Sequence, residues 1–260
     1  MTIFIYRMTK NTKIYEVLKI NIHGITIQSL EFLLKELLES NNSVNQIITF
    51  NIDFLRITTI DKEFNQICKN SFMNLPDGYG IIYIIEKKYK EKIDRITGND
   101  IYLLLIKLAK KLNKKIAIIG GTESVSKKTE HILLSQYNIV PNNLLCISPE
   151  YKFEENDFVN SEIIEKIRLF SPDIVFAALG CPRQEKWLYK NMKSFGSTIN
   201  VGIGATLDFF TKEKKRSPLF LQNLGLEWLW RLLHEPRRLF NRYIVKDLPF
   251  FLKIYFSKNL

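Results

Sequence analysis

The sequence has 260 residues, of which 46% are hydrophobic and 25% are charged, so it supports a folded chain with a substantial core and excludes wholesale disorder. Its 38 Lys and Arg outnumber its 27 Asp and Glu, which leaves a net charge of +11. This excess predicts a polyanionic partner, for which nucleic acid, anionic lipid and phosphorylated metabolites are the candidates.

The cysteines and the apolar runs limit the cellular setting. Cys68, Cys146 and Cys181 are far apart and form no CxxC pair, so the sequence predicts neither a disulfide framework nor a zinc site and fits a reducing cytosol. The first residues, MTIFIYRMTKNTK, lack the apolar core of a secretory signal. The longest apolar runs, such as Ile81–Ile85 and Ile101–Ile106, are too short to span a bilayer, so any membrane contact is expected to be peripheral.

Short β-branched runs alternate with amphipathic stretches from the start of the chain to about residue 210. The predicted strands are Val17–Ile22, Gln46–Phe50, Lys115–Ile119, Leu144–Ile147, Asp173–Ala177 and Thr198–Val201. The predicted helices are Ser29–Leu38, Asp61–Lys69, Asp100–Leu112, Thr122–Gln136, Val159–Phe170 and Gln184–Met192. This alternation predicts right-handed crossovers and a mostly parallel sheet in an α/β domain over residues 1–211.

The composition changes in the last part of the chain, residues 212–260, which we call the appendage. It carries 11 Lys and Arg against 4 Asp and Glu, together with nine aromatic residues. Apolar and basic residues alternate at helical spacing through Leu226–Lys246, which predicts short helices interrupted at Pro218, Pro236 and Pro249.

Polar residues stand at the predicted end of the Gln46–Phe50 strand. Because ligands bind at the carboxyl ends of parallel strands, such positions are the first candidates for a site. Thr49 and Asn51 point the same way in a pleated strand and can converge on one ligand. The simpler alternative is a helix N-cap at Asn51 or Asp53.

The segment Pro76-Asp77-Gly78 lies between two apolar runs, Phe72–Leu75 and Ile81–Ile85. Pro-Asp-Gly is an ordinary turn sequence, and many such aspartates only shape the backbone. Its position between a strand and a helix also makes Asp77 a candidate general base.

A glycine pair, Gly120 and Gly121, follows the Lys115–Ile119 strand and precedes a helix. Backbone amides at such a helix N-terminus can hold a nucleotide diphosphate. The sequence has neither GxGxxG nor GxxxxGK[ST] at this point, so a simple tight turn explains the pair equally well.

The segment Gly180-Cys181-Pro182-Arg183-Gln184-Glu185 follows another buried strand and opens a helix. Gly180 and Pro182 fix a rigid loop from which Arg183 and Gln184 can reach a nucleotide or a phosphate. The alternative is a structural helix start, with Pro182 near the first position and Glu185 favourable to the helix dipole.

Several kinds of site are not supported. The three histidines, His23, His131 and His234, are scattered, which argues against a histidine-based triad or a metal site. The sequence also lacks a GxSxG elbow and a DxD triplet, so neither a serine hydrolase nor a Mn²⁺- or Mg²⁺-bridged sugar donor is indicated.

Taken in order, these segments resemble the WecG/TagA/CpsF glycosyltransferase family, also known as glycosyltransferase family 26, from roughly Asn21 to Tyr243. The resemblance is carried by Thr49-Phe50-Asn51, Pro76-Asp77-Gly78, Arg95-Ile96-Thr97-Gly98-Asn99-Asp100, Ile119-Gly120-Gly121, Gly180-Cys181-Pro182-Arg183-Gln184-Glu185, Gly202-Ile203-Gly204-Ala205-Thr206-Leu207-Asp208-Phe209, Lys215-Arg216-Ser217-Pro218 and Gly225-Leu226-Glu227-Trp228-Leu229-Trp230-Arg231 through His234-Glu235-Pro236-Arg237-Arg238.

The resemblance implies a metal-independent, inverting transferase without a cofactor. It would move an N-acetylmannosamine-type sugar from UDP to N-acetylglucosamine on undecaprenyl diphosphate, in the assembly of wall teichoic acid, capsule or exopolysaccharide. The implied fold is a Rossmann-like sheet flanked by helices, of the GT-E type. The implied location is cytoplasmic and peripheral, on an anionic membrane surface at the inner face of the membrane. There the basic, aromatic appendage would dock and complete the active site.

The family's functional residues map onto this sequence by position. Asp77 matches the proposed base, and Thr49 with Asn51 matches an essential polar pair. The expected substrate-binding residues are Arg95, Gly98, Asn99, Gly120, Gly121, Gly180, Pro182, Gln184, Glu185, Asp208 and Arg216. The residues expected at the acceptor diphosphate or the membrane are Arg231, Arg237, Arg238, Arg242, Trp228 and Trp230. The sequence departs from the family pattern in three loops, at Phe210–Glu213, Ser217 and Cys181.

Other functions stay open at this stage. A basic protein with interleaved aromatic residues can bind nucleic acid, although no nucleic-acid reading motif is present. A dinucleotide oxidoreductase would use a similar sheet, but the GxGxxG fingerprint is missing. Within the family, a different UDP-hexose donor is the main alternative. The linkage position, the polymer and homo-oligomer formation are not determined.

Overall fold

The computed structural model describes residues 12–40 and 43–257. The N-terminal stretch on which the signal-peptide argument rests lies largely outside these residues. An antiparallel hairpin, β1 (Lys13–Val17) and β2 (Ile20–Gly24), precedes a six-stranded parallel sheet. The sheet strands are β3 (Asn45–Phe50), β4 (Met73–Pro76), β5 (Ile116–Gly120), β6 (Leu144–Ile147), β7 (Ile174–Ala178) and β8 (Ile199–Gly202).

Helices connect these strands and cover both faces of the sheet. In the α/β part they are α1 (Ile27–Ser40), α2 (Ile52–Thr58), α3 (Lys62–Asn70), α4 (Tyr79–Tyr89), α5 (Gly98–Leu112), α6 (Glu123–Ser135), α7 (Asp157–Phe170), α8 (Arg183–Phe195) and α9 (Thr206–Phe210). Two short 3₁₀ turns, Pro141–Asn143 and Phe153–Glu155, lie in the connections on either side of β6. The α/β fold with a parallel sheet, predicted from the alternating pattern, is confirmed, and so is the Rossmann-like sheet flanked by helices that the family resemblance implies.

The strand order is β4-β3-β8-β7-β5-β6, and every neighbouring pair is parallel. The chain leaves β3 for the β4 edge and later leaves β5 for the β6 edge, so β7 and β8 fill the middle. The carboxyl ends of β4, β3, β8 and β7 therefore lie side by side, at the place where an open parallel sheet forms its ligand crevice.

Apolar side chains of the strands pack on both faces of the sheet. Each strand sequence is therefore a continuous hydrophobic run. Along β5, Ile116 and Ile118 join one core cluster with α1 and α5, whereas Ala117 and Ile119 join another with α7 and α8. A third cluster lies under the hairpin and α2–α4, with Phe50 among its fully buried members.

The predicted strand Val17–Ile22 is wrong, because the chain turns in its middle. Leu18 and Lys19 have φ of 48° and 64° and join the two hairpin strands. Two consecutive positive φ values are typical of a type I′ turn, which normally uses Asn or Gly. This sequence places Leu and Lys there, so the turn carries no local signal.

The described part of the appendage, residues 212–257, begins with turns and is mostly helical from Leu219 onward. It contains α10 (Leu219–Asn223), α11 (Glu227–His234), α12 (Pro236–Phe240), a π-helical segment (Asn241–Asp247) and α13 (Leu248–Phe256). Pro218 and Pro236 stand at helix starts, as predicted. The predicted interruption at Pro249 is wrong, because Asp247 and Leu248 keep a helical backbone and the π-helical segment continues into α13, in whose first turn the missing N–H of this proline is tolerated.

The appendage packs against the α/β part through apolar and polar contacts. Ile254 is buried in the core cluster under the hairpin and α2–α4, where Phe250, Phe251 and Tyr255 also pack. Lys87 of α4 donates a hydrogen bond to the carbonyl of Tyr255.

The boundary at residue 211 stays a prediction. Within the described residues, no helix combines the length and apolar character that crossing a membrane requires.

Candidate active site

Two adjoining cavities lie at the carboxyl ends of β3 and β4, with volumes of about 320 and 310 Å³. The appendage forms part of the wall of both. The lining residues that they share are Asn51, Asp77, Glu227, Arg231, Arg242 and Tyr243. The predicted base therefore stands where the two cavities meet.

The cavities differ in chemistry. We call the first the aromatic cavity, because its lining includes Tyr79, Tyr83, Trp228, Tyr243 and Phe251. We call the second the polar cavity, because it is lined by loops that follow β3, β7 and β8 and by basic residues of the appendage. These lining residues include Thr49, Thr97, Gly98, Asn99, Gly180, Gln184, Gly204, Asp208, Lys214, Arg216 and Arg238.

Thr49 and Asn51 both line the polar cavity, as their strand register predicts. The Asn51 side-chain carbonyl accepts hydrogen bonds from the backbone N–H groups of Asp53 and Phe54, at 3.0 and 3.2 Å. The alternative interpretation of Asn51 as the N-cap of α2 is therefore confirmed. Because the cap uses its oxygen, the amide nitrogen is the group that Asn51 offers to a ligand.

Asp77 follows β4 directly, beside the end of β3. Its backbone N–H donates to the carbonyl of Phe50 at 2.8 Å, so parallel pairing continues to the last residue before the α4 turn. Gly78 then adopts a φ of 86°, a backbone conformation that glycine tolerates best. This turn starts α4 and leaves the Asp77 carboxyl among the lining groups of both cavities.

The surroundings of Asp77 raise its pKa to about 6. Burial is the main cause, because it penalises the charged form. Arg95 and Arg231 oppose this change, whereas the negative charges of Glu227 and Asp100 add to it. A carboxyl group that titrates close to neutral pH is well matched to a general base.

Two arginines from distant parts of the chain flank Asp77 and share one partner. Arg95 donates to Glu227 at 3.2 Å, and Arg231 donates to the same carboxylate at 2.5 Å. Burial alone would lower the pKa of Arg231, but Glu227, Tyr243 and Asp77 raise it. Arginine side chains stay cationic in proteins, so two positive charges lie beside the candidate base.

A second ion-pair network joins the appendage to α2. Arg56 bonds to both Asp53 and Asp247, and its Nε–Oδ1 distance to Asp247 is 3.0 Å. Arg242, which lines both cavities, lies 3.0 Å from Asp53. Burial and the neighbouring Asp53 raise the pKa of Asp247 to about 6, against the lowering effect of the two arginines. The network holds the π-helical segment against the site.

Gln184 lines the polar cavity, but its amide already bridges two loops. Its oxygen accepts hydrogen bonds from the backbone N–H groups of Gly180 and Gly204, both at 3.1 Å. Its nitrogen donates to Glu185 at 2.6 Å. Burial raises the pKa of that glutamate to about 7. Through these contacts Gln184 and Glu185 stabilise the two loops that line the polar cavity.

Gln184→Ala is expected to lower the free energy of unfolding by about 1–3 kcal/mol, because two half-buried backbone donors lose their acceptor. Urea unfolding followed by circular dichroism measures this change. Gln66→Ala, at an exposed position of α3, is the matched control and should stay within about 0.5 kcal/mol of the parent protein. Equal stabilities of the two variants would show that the bridge contributes nothing.

The structure does not bring every predicted residue to the cavities. Gly120 and Gly121 line neither cavity, because β5 lies one strand beyond the crevice. A Cβ on Gly120 would come within 2.5 Å of the Ala178 carbonyl oxygen, so close packing explains this glycine. The other predicted residues that line neither cavity are Pro182, Arg183, Glu185, Trp230 and Arg237, and Arg183 is paired with Glu154 instead.

The structure also adds lining residues that we did not predict. Glu227, Tyr79 and Tyr243 border the site, and Lys214 forms a 3.0 Å ion pair with Asp208. Glu227 stands in a segment that carries the family resemblance, but nothing local shows that it faces Arg95.

Across residues 12–40 and 43–257, no group of three or more His, Cys, Asp or Glu side chains is arranged to hold a metal ion.

A crevice at the carboxyl ends of parallel strands, with a carboxyl group whose pKa is raised to about 6 and arginines beside it, is typical of the active sites of α/β enzymes. The model of the Glycosyl transferase WecG/TagA/CpsF family matches residues 15–259. The chain therefore belongs to this family, and it is a glycosyltransferase.

Two relatives, from Staphylococcus aureus strains MW2 and COL, are each named N-acetylglucosaminyldiphosphoundecaprenol N-acetyl-beta-D-mannosaminyltransferase. Each is 26% identical to this chain over 215 residues, which cover 82% of this chain and 81% of the relative. The similarity thus extends over most of both proteins.

Proposed function

We propose that this chain is an inverting, metal-independent hexosyltransferase that moves N-acetylmannosamine from UDP to N-acetylglucosamine on undecaprenyl diphosphate. The reaction would serve the assembly of a cell-surface polysaccharide such as wall teichoic acid, capsule or exopolysaccharide. One observation carries the proposal: Asp77 stands between a polar and an aromatic cavity, with Arg95 and Arg231 beside it. The names of the relatives supply the sugar and the acceptor.

The polar cavity suits the UDP-sugar donor. Loops after β3, β7 and β8 line one side of it, as expected for a nucleotide at the crevice of a parallel sheet. Arg216, Arg231 and Arg242 line the other side and can neutralise a diphosphate. Thr49 and the Asn51 amide nitrogen are placed to orient the sugar, which is a positioning role.

The aromatic cavity suits the lipid-linked acceptor. Tyr and Trp side chains give a sugar or an isoprene unit a largely apolar surface with a few polar atoms. Arg95 borders this cavity and Arg231 borders both cavities, so the acceptor diphosphate would meet positive charge here. An acceptor bound in this cavity would approach Asp77 from the side opposite to the donor.

The chemistry would be a single displacement. The Asp77 carboxylate takes the proton of an acceptor hydroxyl as that oxygen forms a bond to the anomeric carbon of the donor. The bond from the anomeric carbon to the phosphate oxygen breaks, and UDP leaves with the electron pair. Attack from the opposite face inverts the anomeric configuration, while Arg231 and Arg242 stabilise the charge that develops on the diphosphate.

The appendage would bind the cytoplasmic face of an anionic membrane. Large apolar side chains remain exposed on it, including Leu219, Phe220, Leu224, Leu233, Phe240, Val245, Leu252 and Phe256. Exposed apolar groups among basic residues favour an interface with anionic lipid, where each Lys or Arg contributes about 1 kcal/mol. Such an interface is where a polyprenyl diphosphate presents its sugar.

The double substitution Phe220→Ser/Leu224→Ser is expected to weaken sedimentation with anionic vesicles at least about tenfold, because burying one such side chain is worth about 1.5–3 kcal/mol. The matched control is Phe158→Ser/Leu169→Ser, which removes two exposed apolar side chains from α7. Equal binding by both double variants would place the membrane contact elsewhere. Preferential, salt-sensitive binding of oligonucleotides over vesicles and UDP would favour the nucleic-acid alternative.

A panel of UDP-sugars with a lipid-diphosphate N-acetylglucosamine acceptor, followed by UDP release, tests the proposed function. UDP-N-acetylmannosamine should give the highest rate, with or without a metal chelator. A higher rate with another UDP-hexose would favour the alternative donor within the family. No transfer from any UDP-sugar to this acceptor, by a protein that sediments with vesicles, would overturn the proposal.

A further inference from the structure

Glu227 connects the two parts of the candidate active site. It is the first residue of α11 in the appendage, and its partner Arg95 lies 132 positions earlier, in the loop before α5. The side chains of Glu227 and Arg95 are only 14% and 15% exposed. The ion pair is therefore shielded from water, where a charge–charge contact is stronger than at the surface.

The backbone at Gly225, two residues before Glu227, allows the close approach that this contact needs. Gly225 has a φ of 74°, and a Cβ at this position would lie 2.9 Å from the ring of Tyr79. Because residue 225 has no side chain, the appendage packs closely against Tyr79. The Arg95 guanidinium also lies over the Tyr79 ring, with its Cζ atom 5.3 Å from the ring centroid. Glycine is thus required where the appendage meets the residues that border Asp77.

The second arginine is held by the same carboxylate. Arg231 lies one turn after Glu227 on α11, donates to it at 2.5 Å and packs over the Phe209 ring at 4.9 Å. Glu227 thus bridges two guanidinium groups, one from each part of the chain. Without the Glu227 carboxylate, both groups would lose their shared counter-charge and be held less firmly, by the Tyr79 and Phe209 rings.

The Glu227 carboxylate, which bridges the two arginines, also affects the ionisation of Asp77. The charged groups that act on Asp77 are Arg95, Arg231, Glu227 and Asp100. Arg242 and Tyr243 line the same cavities. Two guanidinium groups without a counter-charge would hold Asp77 strongly in its ionised form and weaken it as a base. Glu227 supplies the negative charge that balances them.

We propose that Glu227 is a positioning residue for the transfer reaction, which fixes Arg95 and Arg231 around Asp77 and balances their charge. This inference rests on the proposed role of Asp77 as the base. This role does not depend on which sugar is transferred.

The decisive measurement is the titration of the Asp77 carboxyl by carbon-13 NMR in the full chain, with Asp77→Asn used to assign the signal. In Glu227→Gln, the titration midpoint is expected to fall by roughly 1 pH unit, because a nearby negative charge is lost. Glu227→Asp keeps the charge and should retain the parent midpoint. Glu165→Gln, which breaks a glutamate–arginine pair on α7, is the matched control and should leave the midpoint unchanged.

Transfer kinetics give the second readout. Glu227→Gln should lower kcat by about 10- to 100-fold, because misplaced catalytic groups cost that much. The acid limb of its pH–rate profile should move to lower pH, a change that a merely structural role would not produce. An unchanged midpoint in Glu227→Gln would overturn the inference. The titration needs no substrate, so a parent protein that transfers no sugar contradicts the proposed function without affecting this result.

Discussion

Replacing Asp77 with Asn is expected to lower kcat by about 10²–10⁴-fold, the usual contribution of a general base. Asn has nearly the same shape but cannot accept the proton of an acceptor hydroxyl at neutral pH. The measurement is UDP release in the presence of the lipid-linked acceptor. Asp94→Asn, in an exposed loop position, is the matched control and should keep the parent rate.

The pH dependence of the parent enzyme follows from the same group. A base works in its deprotonated form, and the pKa of Asp77 is raised to about 6. The rate should therefore be full above this value and fall as the pH drops through about 6. The Asn variant should lose this acid limb. A parent profile that is flat from pH 5 to pH 8 would contradict the assignment of Asp77 as the base.

Asp77→Asn should also leave the fold intact and make it somewhat more stable at pH 7. The ionised carboxylate pays a burial penalty in the folded state only, because its pKa is raised from 3.8 to about 6 on folding. The penalty is absent at low pH, where the group is protonated in both states, and grows as the pH rises between these two values. Thermal unfolding at pH 7 would detect the gain. A large loss of stability would mean that Asp77 is structural.

Arg231→Ala is expected to reduce kcat by about 10²–10³-fold, the effect of removing one preorganised donor from a developing charge. Its guanidinium borders both cavities and is held by Glu227 beside Asp77. Arg231→Lys should recover only part of the rate, because an ammonium group cannot keep the planar geometry of a guanidinium.

The matched control for Arg231 is Arg168→Ala on α7. Arg168 also pairs with a glutamate on its own helix, but it is exposed and lines neither cavity. Both alanine variants should fold, and the control should keep the parent kcat. If Arg231→Ala transfers sugar at the parent rate, the diphosphate must be neutralised by other groups, and the proposed position of the leaving group is wrong.

Local patterns were sufficient to predict most of the sheet strands and most of the helices around them, whereas β4 and α4 were noted only as the apolar runs Phe72–Leu75 and Ile81–Ile85. Each central strand is a short apolar run because helices cover both faces, so the pattern shows the fold class directly. The hairpin was missed because Leu18 and Lys19 form its turn without Gly or Asn. The short helix α2 was also missed, because it follows β3 with only the Asn51 cap as a signal.

The sequence by itself determined the α/β class, the candidate base Asp77 and the polar pair Thr49 and Asn51, because each depends on residues near in the chain. Only the tertiary structure decided that Glu227 bridges Arg95 and Arg231, and that Gly120 and Gly121 lie outside the cavities. These facts depend on the order of strands in the sheet and on where the appendage packs. Strand order and packing follow from long-range contacts, which no local pattern records.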